Sequence, residues 1–201
     1  MQGFSQLSFE EAVQQALEKF DSSKTFDDMK DAAAMFERIA GAEPERWQPH
    51  YYVSFINCLL AFKTNDPVQI KQYASYAQEN LAIALKIAPE ESELHTLQGM
   101  VYQAMLLIDP VNNAMEYSAK ANASFETAMR LNPANPRPLY LQALSLMHTP
   151  EQFGGGRKAA LPLFEKANGL FEAFLPENNI APNWGKHDCS ARLADCKEVL
   201  K

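Results

Sequence analysis

The side chains best suited to metal or redox chemistry sit near the C-terminal end, where His187, Cys189 and Cys196 follow an H-x-C-x6-C spacing. Imidazole and thiolate are zinc ligands, and three of them with a fourth donor would hold a tetrahedral ion. This spacing matches no standard zinc framework, and no fourth ligand is apparent beside it. The other histidines, His50, His95 and His148, are spread along the chain rather than gathered. Three cysteines cannot all pair within one chain. On a helix rising about 1.5 Å per residue, Cys189 and Cys196 would lie about 10 Å apart, beyond disulfide reach. Free thiols, no bound metal and no cofactor are the expectation. Free thiols favour a reducing compartment.

A second candidate is the run Gly154-Gly155-Gly156-Arg157-Lys158. Backbone N–H groups at a helix start beside two cations could hold an anion, with Gly155, Gly156, Arg157 and Lys158 as the site. The run lacks the G-x-x-x-x-G-K-[ST] pattern and no strand precedes it, so a nucleotide P-loop is excluded. The other reading is a long turn whose glycines permit positive φ. Carboxylate pairs such as Glu10 with Glu11, Asp27 with Asp28, and Glu90 with Glu91 stand at helix starts, where they complement the helix dipole. No nucleophile, acid or base constellation emerges, and the chain is not expected to be an enzyme.

The elements that must position these residues are helical. Four segments carry a small, bulky, then small or aliphatic residue at i, i+4 and i+7: Ala32, Phe36, Ile39; Ala77, Leu81, Ala84; Ala121, Phe125, Ala128; and Ala160, Phe164, Ala167. That spacing puts three side chains on one helical face. The first three sets are each followed five residues later by a proline, at Pro44, Pro89 and Pro133, which stops the helix. Upstream of each lies another amphipathic segment: Phe9 to Phe20, opened by a Ser8/Glu11 capping box, then about 46–62, 91–107 and 136–148. Asn135 and Asp66 cap helices in which Pro136 and Pro67 take the first position. Lys186 to Leu200 reads as a closing helix, which a stack of repeats needs over its last apolar face.

Composition sets outer bounds. The chain has 201 residues, 47% of them hydrophobic, with net charge -7 and a sequence pI of about 5.1. An acidic chain without a basic stripe does not suit nucleic acid, whose binding rests on phosphate neutralisation. The longest apolar run, Tyr51 to Phe62, is too short to span a bilayer and contains Asn57. The leading stub, Met1 to Gln6, reads either as a frayed end or as an initiator methionine on a trimmed, exported chain.

The triad-plus-proline pattern resembles the tetratricopeptide repeat (TPR). Gly99 and Tyr102 match that family's small-then-aromatic pair in the first helix, whereas Ser54 and Ala143 match only its small position. The leading aromatic of the family is replaced by His50, His95 and Leu139. The period departs too: 45 residues separate Pro44 from Pro89 and 44 separate Pro89 from Pro133, against about 34 in a TPR. Nearly the whole chain is also similar to a group of largely uncharacterised bacterial TPR-like proteins, many of them exported. The stretches Pro49-His50-Tyr51-Tyr52, Asn135 to Leu141, Thr149 to Gly156 and Pro182-Asn183-Trp184-Gly185 carry that similarity.

The resemblance implies one domain over 1–201: an all-α, right-handed α-solenoid of about four antiparallel helix pairs. The units fall at about 8–44, 45–89, 90–133 and 134–176, with the closing helix at about 186–200. It also implies that the first helices line a concave groove, presenting Tyr51, Phe55, Thr96, Met100, Gln103, Arg137, Tyr140 and Met147. Aromatics, methionines and one arginine suit an extended peptide or an apolar ligand; packing against neighbouring helices is the competing reading. Tyr51 and Phe55 stand where chaperone-type TPRs place their Lys and Asn carboxylate clamp, which argues against that partner class. Trp184 either stacks on a ligand or plugs the solenoid end under the closing helix.

The function expected from this reading is a non-enzymatic binding module presenting a groove to an unknown protein or peptide. The alternative is a small apolar-ligand-binding or transport-associated protein, which an enclosed pocket behind Tyr51, Met100 and Tyr140 would favour. No nucleic acid and no membrane insertion are expected. A periplasmic or otherwise exported location is preferred over a cytoplasmic one.

Overall fold

The computed structural model describes residues 7–199, so the Met1 to Gln6 stub and Leu200 lie outside it. Nine α-helices are present among the described residues: α1 Phe9–Asp21, α2 Phe26–Ala42, α3 Trp47–Phe62, α4 Pro67–Ile87, α5 Ser92–Leu106, α6 Pro110–Leu131, α7 Arg137–His148, α8 Arg157–Ala173 and α9 Lys186–Val199. They stack as the pairs α1/α2, α3/α4, α5/α6 and α7/α8, with α9 laid against α8. This is the all-α solenoid that the repeat pattern predicts. The first helices also touch across repeats, α3 on α5 and α5 on α7. They form the inner face.

Helix boundaries follow local chemistry. Ser8 accepts a hydrogen bond from the Glu11 amide at 3.2 Å while the Glu11 carboxylate accepts from the Ser8 amide at 2.8 Å. That is the reciprocal cap expected from the sequence. Thr25 and Asp28 make a second such box at the start of α2. Helices α2, α4 and α6 end two residues before Pro44, Pro89 and Pro133. Asp66 caps α4 through the Val68 amide at 2.9 Å, with Pro67 at the first position.

The triads form the seam inside each pair. Ala32, Phe36, Ala77, Leu81, Ala84, Ala121, Phe125, Ala128, Ala160, Phe164 and Ala167 are all buried, and only Ile39 is half-exposed. Burying each phenyl ring contributes about 2–3 kcal/mol. Gly99 explains the small position of the first helix: a Cβ there would stand 2.2 Å from the Phe125 ring. Any larger residue would force α5 and α6 apart.

A buried polar knot ties three helices together. Ser92 donates to the Ala128 carbonyl at 2.9 Å, the Asn135 side-chain amide donates to Ser92 Oγ at 3.0 Å, and Asn135 Oδ1 accepts from the Arg137 amide at 3.0 Å. Asn135 thus holds the first amide of α7, although the helix opens at Arg137 with Pro136 one place before it, and it also fixes the register of α7 against α5 and α6.

The glycine run is a turn. Gly154 and Gly156 have φ of 82° and 93°, in the left-handed region that glycine tolerates. The Gly155 amide donates to the Pro150 carbonyl and the Gly156 amide to the Leu146 carbonyl. Arg157 reaches Asp195 of α9 at 3.0 Å. Both glycine amides are therefore committed inside the turn, which corrects the expectation of an anion site at Gly155, Gly156, Arg157 and Lys158.

Candidate functional site

Between α8 and α9 the chain runs without regular secondary structure, and it does not stay at the solenoid end. The segment 174–185 turns back across the inner face and lies over α3 and α7. Tyr52 donates from its hydroxyl to the Ile180 carbonyl at 2.8 Å. Trp184 stacks on Phe55 with ring centres 4.8 Å apart, and its indole N–H donates to the Tyr51 hydroxyl at 2.7 Å. Arg137 donates from Nη2 to the Pro182 carbonyl at 2.6 Å, and its guanidinium lies 4.6 Å from the Phe174 ring centre and 5.4 Å from that of Trp184. The segment enters α9 through Gly185, whose φ of 99° and close approach to Phe171 exclude a side chain.

The groove residues expected from sequence are consequently covered. Tyr51 is 0% exposed and Arg137 1%, and Phe55 and Tyr140 are nearly as buried. Tyr51, Phe55 and Arg137 do converge, but on the protein's own segment. Tyr140 donates to Asp188 of α9, and so faces the closing helix. Thr96 bonds the Ser92 carbonyl at 2.9 Å within α5. Gln103 donates to Ser145 Oγ at 2.5 Å and to the Leu141 carbonyl at 3.3 Å, joining α5 to α7. Met100 is buried and Met147 half-buried in the helix stack. Trp184 packs against the protein itself, filling the inner face against α3 rather than the solenoid end under α9.

Arg137 is the electrostatic centre of this arrangement. Its Nη1 meets Glu93 Oε1 at 2.8 Å, deep between α5 and α7. Glu93 Oε2 and Arg137 Nε are both buried and have no hydrogen-bond partner. Desolvation pushes Glu93 up to about 7, with Arg137 pulling the other way. Burial likewise raises Tyr51, Tyr52 and Cys58 above their ordinary ranges.

The edge of the segment bounds a recess of about 260 Å³ that the sequence did not disclose. Leu17 and Phe20 of α1, Tyr52 and Phe55 of α3, and Ala181 and Trp184 of the segment wall it. Gln14, Glu18, Asp21, Asn179 and Asn183 supply its polar lining. Phe20 meets Phe55 edge-on at 6.0 Å. The recess is bordered by aromatic rings, of which Tyr52 and Phe55 are themselves buried, and no histidine lines it. His50 instead pairs with Asn80 at 3.1 Å, and His95 with the Pro89 carbonyl at 2.8 Å. Cys189 and Cys196 lie on the buried face of α9, and burial holds the Cys189 thiol up at about 12. Among the described residues no helix is long and apolar enough to cross a membrane.

Helix pairs of this kind, joined into one inner face, define a TPR-like solenoid. A thermophilic TPR protein of Thermus thermophilus superposes with a TM-score of 0.68 over 96% of this chain and 83% of its own, at 14% identity. The HusA haemophore from Porphyromonas gingivalis superposes with a TM-score of 0.86, is 31% identical, and is covered over 98% of its length by 99% of this chain. The chain belongs to the family of that haemophore. No protein-family model and no curated protein matches it.

Proposed function

We propose that this protein captures a flat, largely apolar tetrapyrrole of the haem class, and that it does so outside the cytoplasm. The observation that carries the reading is its 31% identity to a haemophore across 99% of the chain. The aromatic recess gives it a chemical basis. Phe20, Tyr52, Phe55 and Trp184 border it with aromatic rings, and contact of such rings with a macrocycle contributes about 0.5–1.5 kcal/mol per ring beyond area burial. At about 260 Å³ the recess falls below the range of a site that encloses a drug-sized ligand. A tetrapyrrole would enter it in part.

None of the four histidines lines the recess. Capture therefore rests on the ring and not on imidazole ligation of its metal. Titration of the protein with haemin and with metal-free protoporphyrin IX, followed in the Soret band, tests this. Saturable shifts with both, weakened about two- to tenfold by Phe55→Leu in a protein of unchanged helical content, are expected. Absence of any saturable shift would sink the reading.

A further inference from the structure

The segment over the inner face has the chemistry of a ligand. It offers a flat aromatic ring to Phe55, a hydrogen-bond donor to Tyr51 and an oxygen acceptor to Arg137. One part of that fit is incomplete. A guanidinium receives a carboxylate best along its Nε and Nη2 edge, through two parallel N–H···O bonds. The Pro182 carbonyl has a single oxygen and takes only Nη2, leaving Nε buried without a partner. A carboxylate in place of that carbonyl would satisfy both.

We infer that the segment 174–185 is a displaceable stand-in for the ligand, which binds beneath it with a flat ring on Phe55 and a carboxylate on the Nε/Nη2 edge of Arg137. The inference rests on the tetrapyrrole reading and specifies where and how that ligand sits. The spacing is compatible: the Trp184 ring lies 4.8 Å from Phe55 and 5.4 Å from the Arg137 guanidinium. A ring in the place of Trp184 therefore reaches Arg137 with an acid on a short alkyl arm. The outer rim supports the same orientation, because Glu18 and Asp21 repel a ligand carboxylate there. The segment is suited to leave. It has no helix or strand of its own and Leu175 is exposed; what holds it on α3 and α7 is the Trp184 ring and indole N–H, the buried Ile180 and two carbonyl oxygens, the same kinds of contact a ligand would replace.

Displacement and simple entry into the recess predict opposite results. The apparent affinity of a site that must first open is reduced by the closed fraction. If the segment competes with ligand, Trp184→Ala tightens protoporphyrin IX binding by about tenfold. If Trp184 is instead a wall of the site, the same variant weakens it. The protoporphyrin dimethyl ester, which has lost its charged carboxylates, should bind at least tenfold more weakly than the acid to the unmodified protein. Arg137→Lys should narrow that difference. Because this variant removes a buried contact, hydrogen exchange of the unmodified protein serves as the independent measurement: the amides of 175–185 should exchange faster with porphyrin bound. Weaker binding by Trp184→Ala, equal affinity for acid and ester, or slower exchange across 175–185 would each overturn the stand-in while leaving tetrapyrrole capture intact. Failure of the unmodified protein to bind either porphyrin would overturn both.

Discussion

Trp184 and Tyr51 are 133 residues apart in sequence and share a 2.7 Å hydrogen bond from indole N–H to phenol oxygen. Tyr51 lies wholly inside the protein, so this bond supplies a buried hydroxyl with a partner. Through it, and through the stack on Phe55, the stretch before the closing helix is fastened to the second repeat.

Trp184→Phe keeps a ring on Phe55 but removes the donor. Leaving the Tyr51 hydroxyl short of a partner should cost about 1–2 kcal/mol. Urea unfolding at pH 7 measures it, with Trp47→Phe as the control for the other tryptophan. An unchanged midpoint would mean that the bond contributes nothing.

Truncating Tyr51 and Arg137 together should unfold much of the protein, contrary to what an open groove would imply. Both side chains are buried, and Arg137 compensates Glu93. Breaking one partner of a buried pair costs about 3–5 kcal/mol, and loss of the Tyr51 ring adds a cavity. The helical melt of Tyr51→Ala/Arg137→Ala should fall by well over 10 °C. A nearly unchanged melt would place these residues at a solvent-facing surface after all.

Glu93 gives stability a pH dependence. Its folded-state value of about 7 stands above the ordinary 4.5, so between those limits the native state holds a proton that the unfolded state releases. The contribution is fully present below about pH 4.5 and is lost as pH rises through about 7, with a size on the order of 3 kcal/mol. Urea midpoints from pH 5 to pH 8 should therefore decline more in the unmodified protein than in Glu93→Gln, which has no proton to lose. Parallel profiles would show that Glu93 is ionised throughout.

Gly99→Ala introduces a methyl group 2.2 Å from the Phe125 ring. The ring is fully buried in the α5/α6 seam and has little room to yield. Overpacking of this kind costs about 1–3 kcal/mol, which outweighs the helix propensity gained by replacing glycine. A lower thermal midpoint is expected, with Gly41→Ala, where open space surrounds the added carbon, as the contrasting control.

How much was legible beforehand follows from the range of each signal. Ala121, Phe125 and Ala128 lie within about two turns of helix, and their spacing alone assigns them to a buried face. Ser8 with Glu11, and Asp66 with Pro67, act within four residues of themselves. Position along the first helices points to Tyr51, Phe55 and Arg137 as inward-facing but carries no information on what covers them. Tyr52, next to Tyr51, carries no local signal of its role, because its partner is the backbone of Ile180, 128 residues away. Phe20, Glu18 and Asp21 gave no signal as site residues, because on α1 they read as an ordinary amphipathic helix.

The sequence by itself determined the helix pairs, their boundaries, the triad seam and the TPR-like stack, since periodicity, caps and prolines act locally and repeat. Only the tertiary structure decided that the inner face is filled, that Arg137 is held between Glu93 and Pro182, and that a recess opens beside Trp184. The stretch 174–185 has no periodic pattern to announce its course. Its path is set by single contacts with side chains more than a hundred residues upstream in α3 and by one arginine in α7, and such contacts exist only once the repeats have stacked.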